Sequence, residues 1–158
     1  MSSPEVVVRI RHMNATDLDR VLELAAALAE APHWPASAYV AAINPNKTPR
    51  RIALVATEPE SDTAAGFLVA SVLAPEAELE TIAVAKAGQR RGVGARLMNA
   101  LVEELRTGGV SRLILEVRAS NRAAQGFYGA LGFEEVGLRP RYYADPEEDA
   151  VLMRLRLV

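Results

Sequence analysis

A glutamate inside an apolar run and a tyrosine one helix further on are the groups through which this chain could do chemistry. Glu116 interrupts Ile114, Leu115 and Val117, and strand alternation puts it on the face of Ile114. Partial burial lifts a carboxyl pKa above its usual value of about 4.3, which makes a glutamate a useful base near neutral pH. The plainer alternative is an edge glutamate that is solvated or paired with Arg112 or Arg118. Asn121 and Tyr128 are seven residues apart, so two helical turns place them on one face. Asn121 is equally a good helix cap, and the Tyr128 hydroxyl could simply reach water.

A third feature is the loop Gln89-Arg90-Arg91-Gly92-Val93-Gly94, which lies between an apolar strand and an amphipathic helix. A helix start exposes unpaired N–H groups and the positive end of its dipole, and glycines let a phosphate approach those donors. The glycine spacing matches neither GxGxxG nor GxxxxGK[ST]. Other chemistries lack their residues. With no cysteine and only His12 and His33, the chain has no thiol nucleophile, disulfide or Cys/His metal site, and no metal is expected. The 18 basic and 20 acidic residues give a net charge of −2, so no global field favours nucleic acid or an anionic membrane. The sequence has no apolar run near the roughly 20 residues that cross a bilayer and no basic-then-apolar leader, so a cytoplasmic location is expected.

The 158 residues, half of them hydrophobic, predict one domain over 1–158 with a sizeable core. Val6, Val8 and Ile10 read as a first strand, and Asn14 or Thr16 as the cap of a helix running to about Ala31. His33-Trp34-Pro35 is a connector, and Ser37 is a candidate cap for a short helix through Tyr39 and Ile43. Ile52 to Thr57 and Ala65 to Leu73 read as a hairpin that the strand from Glu78 extends. From Val93 onward Leu97, Leu101 and Leu105 recur at helical spacing, and Gly108-Gly109 stops that helix. A strand from Arg112 then implies a right-handed parallel crossover. Asn121 to Leu131 is a further helix, and Val136 to Arg139 and Val151 to Leu157 are strands around a polar loop, Pro140 to Asp149. The prediction is an α/β domain with a mixed, mostly antiparallel sheet of six or seven strands and about four helices.

The form Gln/Arg-x-x-Gly-x-Gly/Ala after a strand resembles the pyrophosphate loop of the GNAT acyl-CoA N-acyltransferases. Leu115-Glu116-Val117-Arg118-Ala119-Ser120-Asn121, Phe127-Tyr128-Gly129-Ala130-Leu131-Gly132-Phe133 and Arg141-Tyr142-Tyr143 narrow the resemblance to the RimI type, the ribosomal-protein-alanine N-acetyltransferases. It covers about Glu78 to Leu157. The loop departs from the pattern at Ala85-Lys86-Ala87-Gly88, which lacks the proline and aromatic often found there.

The resemblance implies transfer of acetyl from acetyl-CoA, as cosubstrate, to the α-amino group of a protein N-terminus, with a ribosomal protein as the suggested acceptor. It implies Glu116 as proton acceptor, Tyr128 as proton donor and Asn121 as a coenzyme contact. Ile82, Ala83 and Val84 would hold the pantetheine arm, and Gln89, Arg90, Arg91, Gly92, Val93, Gly94 and Ala95 the diphosphate. Tyr142, Tyr143 and Trp34 are candidates to line the peptide entrance. The residues alone leave open a small-molecule amine or lysine acceptor, and an acyl-CoA-binding module without turnover. They give no oligomeric state.

Overall fold

The chain is described by a computed structural model over residues 7–27, 34–89 and 91–158. Seven strands form one sheet in the order β1-β2-β3-β4-β5-β7-β6. These are β1 (Arg9–His12), β2 (Arg50–Thr57), β3 (Ala64–Leu73), β4 (Glu76–Val84), β5 (Arg112–Arg118), β6 (Glu134–Tyr143) and β7 (Glu148–Arg156). The β4–β5 pair is parallel and every other pair is antiparallel. Helices α1 (Leu18–Ala27) and α2 (Ala36–Ala42) cover one face, while α3 (Val93–Thr107) and α4 (Arg122–Ala130) cover the other. This is the mixed α/β sheet the sequence predicts.

Each face buries its own apolar set. On one side, Val93, Leu97, Met98, Leu101 and Leu105 of α3 pack with Leu54 and Leu68 and with Leu113, Leu115 and Val117 of β5. The helical spacing of the α3 leucines is what aims them all at the sheet. On the other side, Val21, Leu24 and Tyr39 pack on Val55, Phe67 and Val69.

Several boundaries differ from the sequence reading. Residues 1–6 and 28–33 lie outside the described residues, so the start of the first strand, the end of the first long helix and His33 are not placed. Asn14 does cap, but it caps a 3-10 turn, Ala15–Asp17, in a reciprocal capping box with Asp17. Ser37 is not a cap, because Pro35 occupies the N-cap position of α2 without a side-chain bond. The segment from Pro140 to Tyr143 is strand rather than loop. The polar side chains hid this, since β6 is an edge strand and its residues are mostly exposed.

Candidate active site

The site begins with a defect in β4. Its register with β3 slips between Val69, which faces Thr81, and Ala70, which faces Leu79, so Glu80 is an extra bulged residue. A bulge bends its strand and breaks local pairing. On the other side, β4 and β5 share only the rungs from Glu76 with Arg112 to Glu78 with Ile114. Beyond that rung β4 runs on to Val84 and β5 to Arg118 without pairing to each other. The two parallel strands therefore part, and β4 is left without β5 as a partner along Ile82, Ala83 and Val84, where Val84 O is taken by the Gln89 side chain. Thr81, at the same place, is 4% exposed, and its Oγ1 has no hydrogen-bond partner among the described residues.

Glu116 stands on the β5 side of this opening. Leu113, Leu115 and Val117 enter the α3 core, so Glu116 points to the opposite face, as alternation requires. Its partner is neither Arg112 nor Arg118. Arg139 Nη1 of β6 lies 3.5 Å from Glu116 Oε1, reaching across β7. Small residues permit that reach, because Ala150 is the rung partner of Arg139 and Gly137 that of Leu152, itself opposite Glu116. A Cβ on Gly137 would sit 3.1 Å from Leu152 Cδ1. Arg139 also lies over the Tyr142 ring at 5.3 Å, and interaction with the Glu116 carboxylate, more than burial, pushes the Tyr142 pKa up.

Tyr128 approaches from the other face of the sheet. It is 8% exposed, packed among the α3 and β5 residues with Phe127 at 5.3 Å and Phe133 at 5.6 Å between ring centres. Burial first, then Tyr143, pushes its pKa up to about 12, so the hydroxyl keeps its proton. Tyr143 links the two sides. Its own pKa is pushed up to about 12 by burial and then by the Glu116 charge, against the Arg118 guanidinium 4.4 Å over its ring. Arg118 is in turn held by Glu148 at 3.3 Å, which also accepts from Ser120 N at 2.8 Å. This network carries Tyr142 and Tyr143, at the end of β6, back to β5.

Behind the opening lies the start of α3. Gly92 occupies the N-cap position with φ of +84°, a left-handed conformation that favours glycine, and no side chain caps the helix. The first-turn N–H groups are therefore available to an anion. Gly94 serves a different need, since a Cβ there would meet Phe127 Cζ at 3.1 Å, so its smallness seats α4 against α3. Gln89 also has its own duty. Its Nε2 donates to Val84 O at 3.0 Å, tying the loop to the end of β4. Arg90 lies outside the described residues, and Arg91 is half-buried beside Gly92. Asn121 caps α4 through Oδ1, which accepts from Ala124 N at 3.1 Å, so any coenzyme contact would fall to its amide nitrogen.

Trp34 is on the Glu116 face, across the opening from Tyr142. It packs on Tyr39 at 5.2 Å and lines a cleft of ≈ 300 Å³ with Pro35, Ala38, Ala41 and the Arg51–Glu80 ion pair, whose atoms are 2.7 Å apart. Of the residues around this opening, the sequence reading named Trp34, Tyr142 and Tyr143 but not Arg139, Glu78 or Glu80. An arginine three residues before Tyr142-Tyr143 was the only hint of the first, and its partner could not be read without the strand order. Among the described residues, no group of three or more metal-ligating side chains is gathered. No described helix is long and apolar enough to cross a membrane.

Known proteins resemble this chain in sequence and fold. The family described as Acetyltransferase (GNAT) matches residues 18–133. The ribosomal protein bS18-alanine N-acetyltransferase of Salmonella typhimurium is 48% identical over 96 residues, which are 60% of this chain and 65% of that protein. The match thus spans just under two thirds of that relative's length. The crystal structure of the ribosomal-protein-S18-alanine N-acetyltransferase from Escherichia coli aligns with a TM-score of 0.80 and 34% identity over 96% of this chain and 94% of that one. The Arabidopsis thaliana NAA60 structure in complex with acetyl-CoA shares the fold, with a TM-score of 0.82 and 17% identity over 95% and 98% of the two chains.

Proposed function

We propose, from the premise that this chain belongs to the Acetyltransferase (GNAT) family, that it acetylates the N-terminal α-amino group of a protein, using acetyl-CoA. The observation that carries this reading is the opening between β4 and β5, flanked by Glu116 on one face and Tyr128 on the other. The relatives named for bS18-alanine acetylation make a ribosomal protein beginning with alanine the first acceptor to try, with the reaction in the cytoplasm.

The residues present fit acetyl-CoA. The uncapped start of α3 with Gly92 suits a diphosphate, and the edge of β4 at Ile82 and Ala83, unpaired with β5, suits an amide-bearing pantetheine arm. Bound there, acetyl-CoA supplies the thioester carbonyl for the amine to attack, with CoA thiolate as the leaving group. Glu116, held by Arg139, takes the proton the α-amine must lose. The task is modest, because an α-ammonium has a pKa of about 7.7–8.0 whereas a lysine ammonium has one of about 10.4. That difference of roughly 2.5 units, about 3.4 kcal/mol, favours the α-amine over a lysine side chain. Tyr128 retains its proton and donates a hydrogen bond toward the departing sulfur. Trp34 on one lip and Tyr142 with Tyr143 on the other hold the incoming chain.

Mass spectrometry of the purified protein with acetyl-CoA tests this against a panel of alanine-starting ribosomal peptides, lysine peptides blocked at the α-amine, and small amines. Acetylation at the peptide α-amine is expected. Product only on small amines or on lysine, or none with any acceptor, overturns the reading.

A further inference from the structure

Resting on the N-terminal reading above, the next question is which acceptor chain the groove admits. Four glutamates point from β4 and β5 toward the face that carries the groove. Three have an arginine close by. Glu76 lies 2.6 Å from Arg112, Glu80 lies 2.7 Å from Arg51, and Glu116 lies 3.5 Å from Arg139. Glu78 is the exception, since among the described residues no basic side chain comes within ion-pair distance of it. Its carboxyl is pushed up by partial burial, then by the charges of Glu116 and Glu80, with Arg139 opposing and Glu76 adding. Glu78 is thus the uncompensated negative charge of this face.

Its position gives that charge a direction. Glu78 sits opposite Ile114 on the last rung that β4 and β5 share, where the opening begins. Glu116 lies two residues further along β5 and Glu80 two further along β4, so Glu78 is about 6.6 Å below them at the strand rise of about 3.3 Å per residue. An extended acceptor whose α-amine reaches Glu116 has its next side chain within reach of Glu78.

The α-ammonium itself is a poor match for Glu78. A carboxylate that ion-paired with it would raise the amine pKa and oppose the deprotonation that attack requires. A side chain that stays cationic carries no such penalty, and a guanidinium can bridge to a carboxylate through two N–H bonds. We infer that Glu78 selects acceptors carrying arginine or lysine immediately after the terminal residue. The Arg51–Glu80 pair and the Trp34 ring would then flank the aliphatic stem of that side chain.

The test compares two peptides that differ only at the second residue, arginine against its neutral isostere citrulline, on wild type, Glu78→Gln and Glu78→Asp. Wild type is expected to favour arginine about ten-fold in KM with similar kcat, the scale of one charge-assisted contact. Glu78→Gln should lose the preference, and Glu78→Asp should keep part of it. In wild type the preference should fade as the pH drops through the raised Glu78 pKa. Because both peptides are read on the same protein, partial misfolding of a variant cancels from the ratio. Equal KM values in wild type, or a ratio unchanged in Glu78→Gln, overturns the inference while leaving N-terminal acetylation standing. Acetylation of neither peptide by wild type overturns the broader reading and this one with it.

Discussion

Replacing Tyr128 by phenylalanine removes one hydroxyl and little else, and the structure says what that hydroxyl can do. The ring is 8% exposed and held between Phe127 and Phe133, so phenylalanine preserves the packing. Its pKa is pushed up to about 12, chiefly by burial. A free thiol has a pKa of about 8.5, so full transfer of the Tyr128 proton to a thiolate runs uphill by about 3.5 units, or roughly 5 kcal/mol. The hydroxyl therefore acts as a fixed hydrogen-bond donor to charge developing on sulfur, with the proton finally supplied by solvent. Loss of one preorganised donor of this kind costs about 10²- to 10³-fold in kcat. The assay is steady-state turnover with a preferred peptide, with acetyl-CoA affinity measured by calorimetry and expected to stay within about a factor of three. The pH profile is a second readout. A hydroxyl titrating near 12 stays protonated from about pH 6 to about pH 10, so wild type and variant should show parallel profiles offset by a constant factor. An undiminished kcat would refute the donor role. An alkaline limb between about pH 8 and 10 that vanishes in the variant would refute the high pKa.

Other consequences are as concrete. Glu116→Gln should lower kcat by about 10²- to 10⁴-fold without changing acetyl-CoA affinity, and turnover near wild type would remove it as the base. Gly92→Ala forces a side chain into a left-handed backbone, costing about 1–2 kcal/mol, and should weaken acetyl-CoA binding about ten-fold by calorimetry; a lower melting temperature with unchanged affinity would deny the anion role. Gly126→Ala should raise stability by about 0.5–1 kcal/mol in denaturant unfolding, because the new methyl meets nothing within 4 Å in the middle of α4. Asp17 is 5% exposed, and although burial alone would raise its pKa, hydrogen bonds from Arg11 and Asn14 N hold its carboxyl below the usual range. A native pKa below the unfolded value stabilises the fold above the unfolded pKa of about 3.9, and that stability is lost as pH falls through the native one. Melts of Asp17→Asn should therefore be lower than wild type near neutrality and flatter in acid.

What could be read from the sequence was whatever depends on local pattern. Leu97, Leu101 and Leu105 announced α3 by their spacing, and all three are at most 1% exposed. Glu116 stood out because a charge inside an apolar strand is costly unless used or paired. The stop of α3 was also legible, with Gly109 in a left-handed conformation at φ of +80°. What depends on strand order was hidden. β7 slips between β5 and β6, so Arg139 meets Glu116 across a strand that comes later in the chain. Gln89 illustrates the other limit, because a motif gives a residue type and a place but not the direction of the side chain. Here its amide points back to Val84 O.

The bulge at Glu80 shows why this opening and this core come together. In a regular β4, Leu79, Thr81 and Ala83 would share one face, and Ile82 and Val84 would turn to the other. The extra residue switches the alternation, so that Ala77 and Leu79 before it and Ile82 and Val84 after it all pack toward α3, while Ala83 joins the α1 side. The same insertion bends β4 away from β5 at the rung where Glu78 stands. Deleting Glu80 removes the extra residue and leaves Leu79, Ile82 and Val84 alternating toward the α3 core, but it also removes the bend and lets β4 pair with β5 where the acyl arm is proposed to lie. Acetyl-CoA binding should therefore fall in that variant while the fold is kept, whereas Glu80→Ala, which keeps the bulge and removes only the Arg51 pair, should retain coenzyme affinity. Loss of affinity in Glu80→Ala as well would mean that the side chain, and not the strand geometry, shapes the opening.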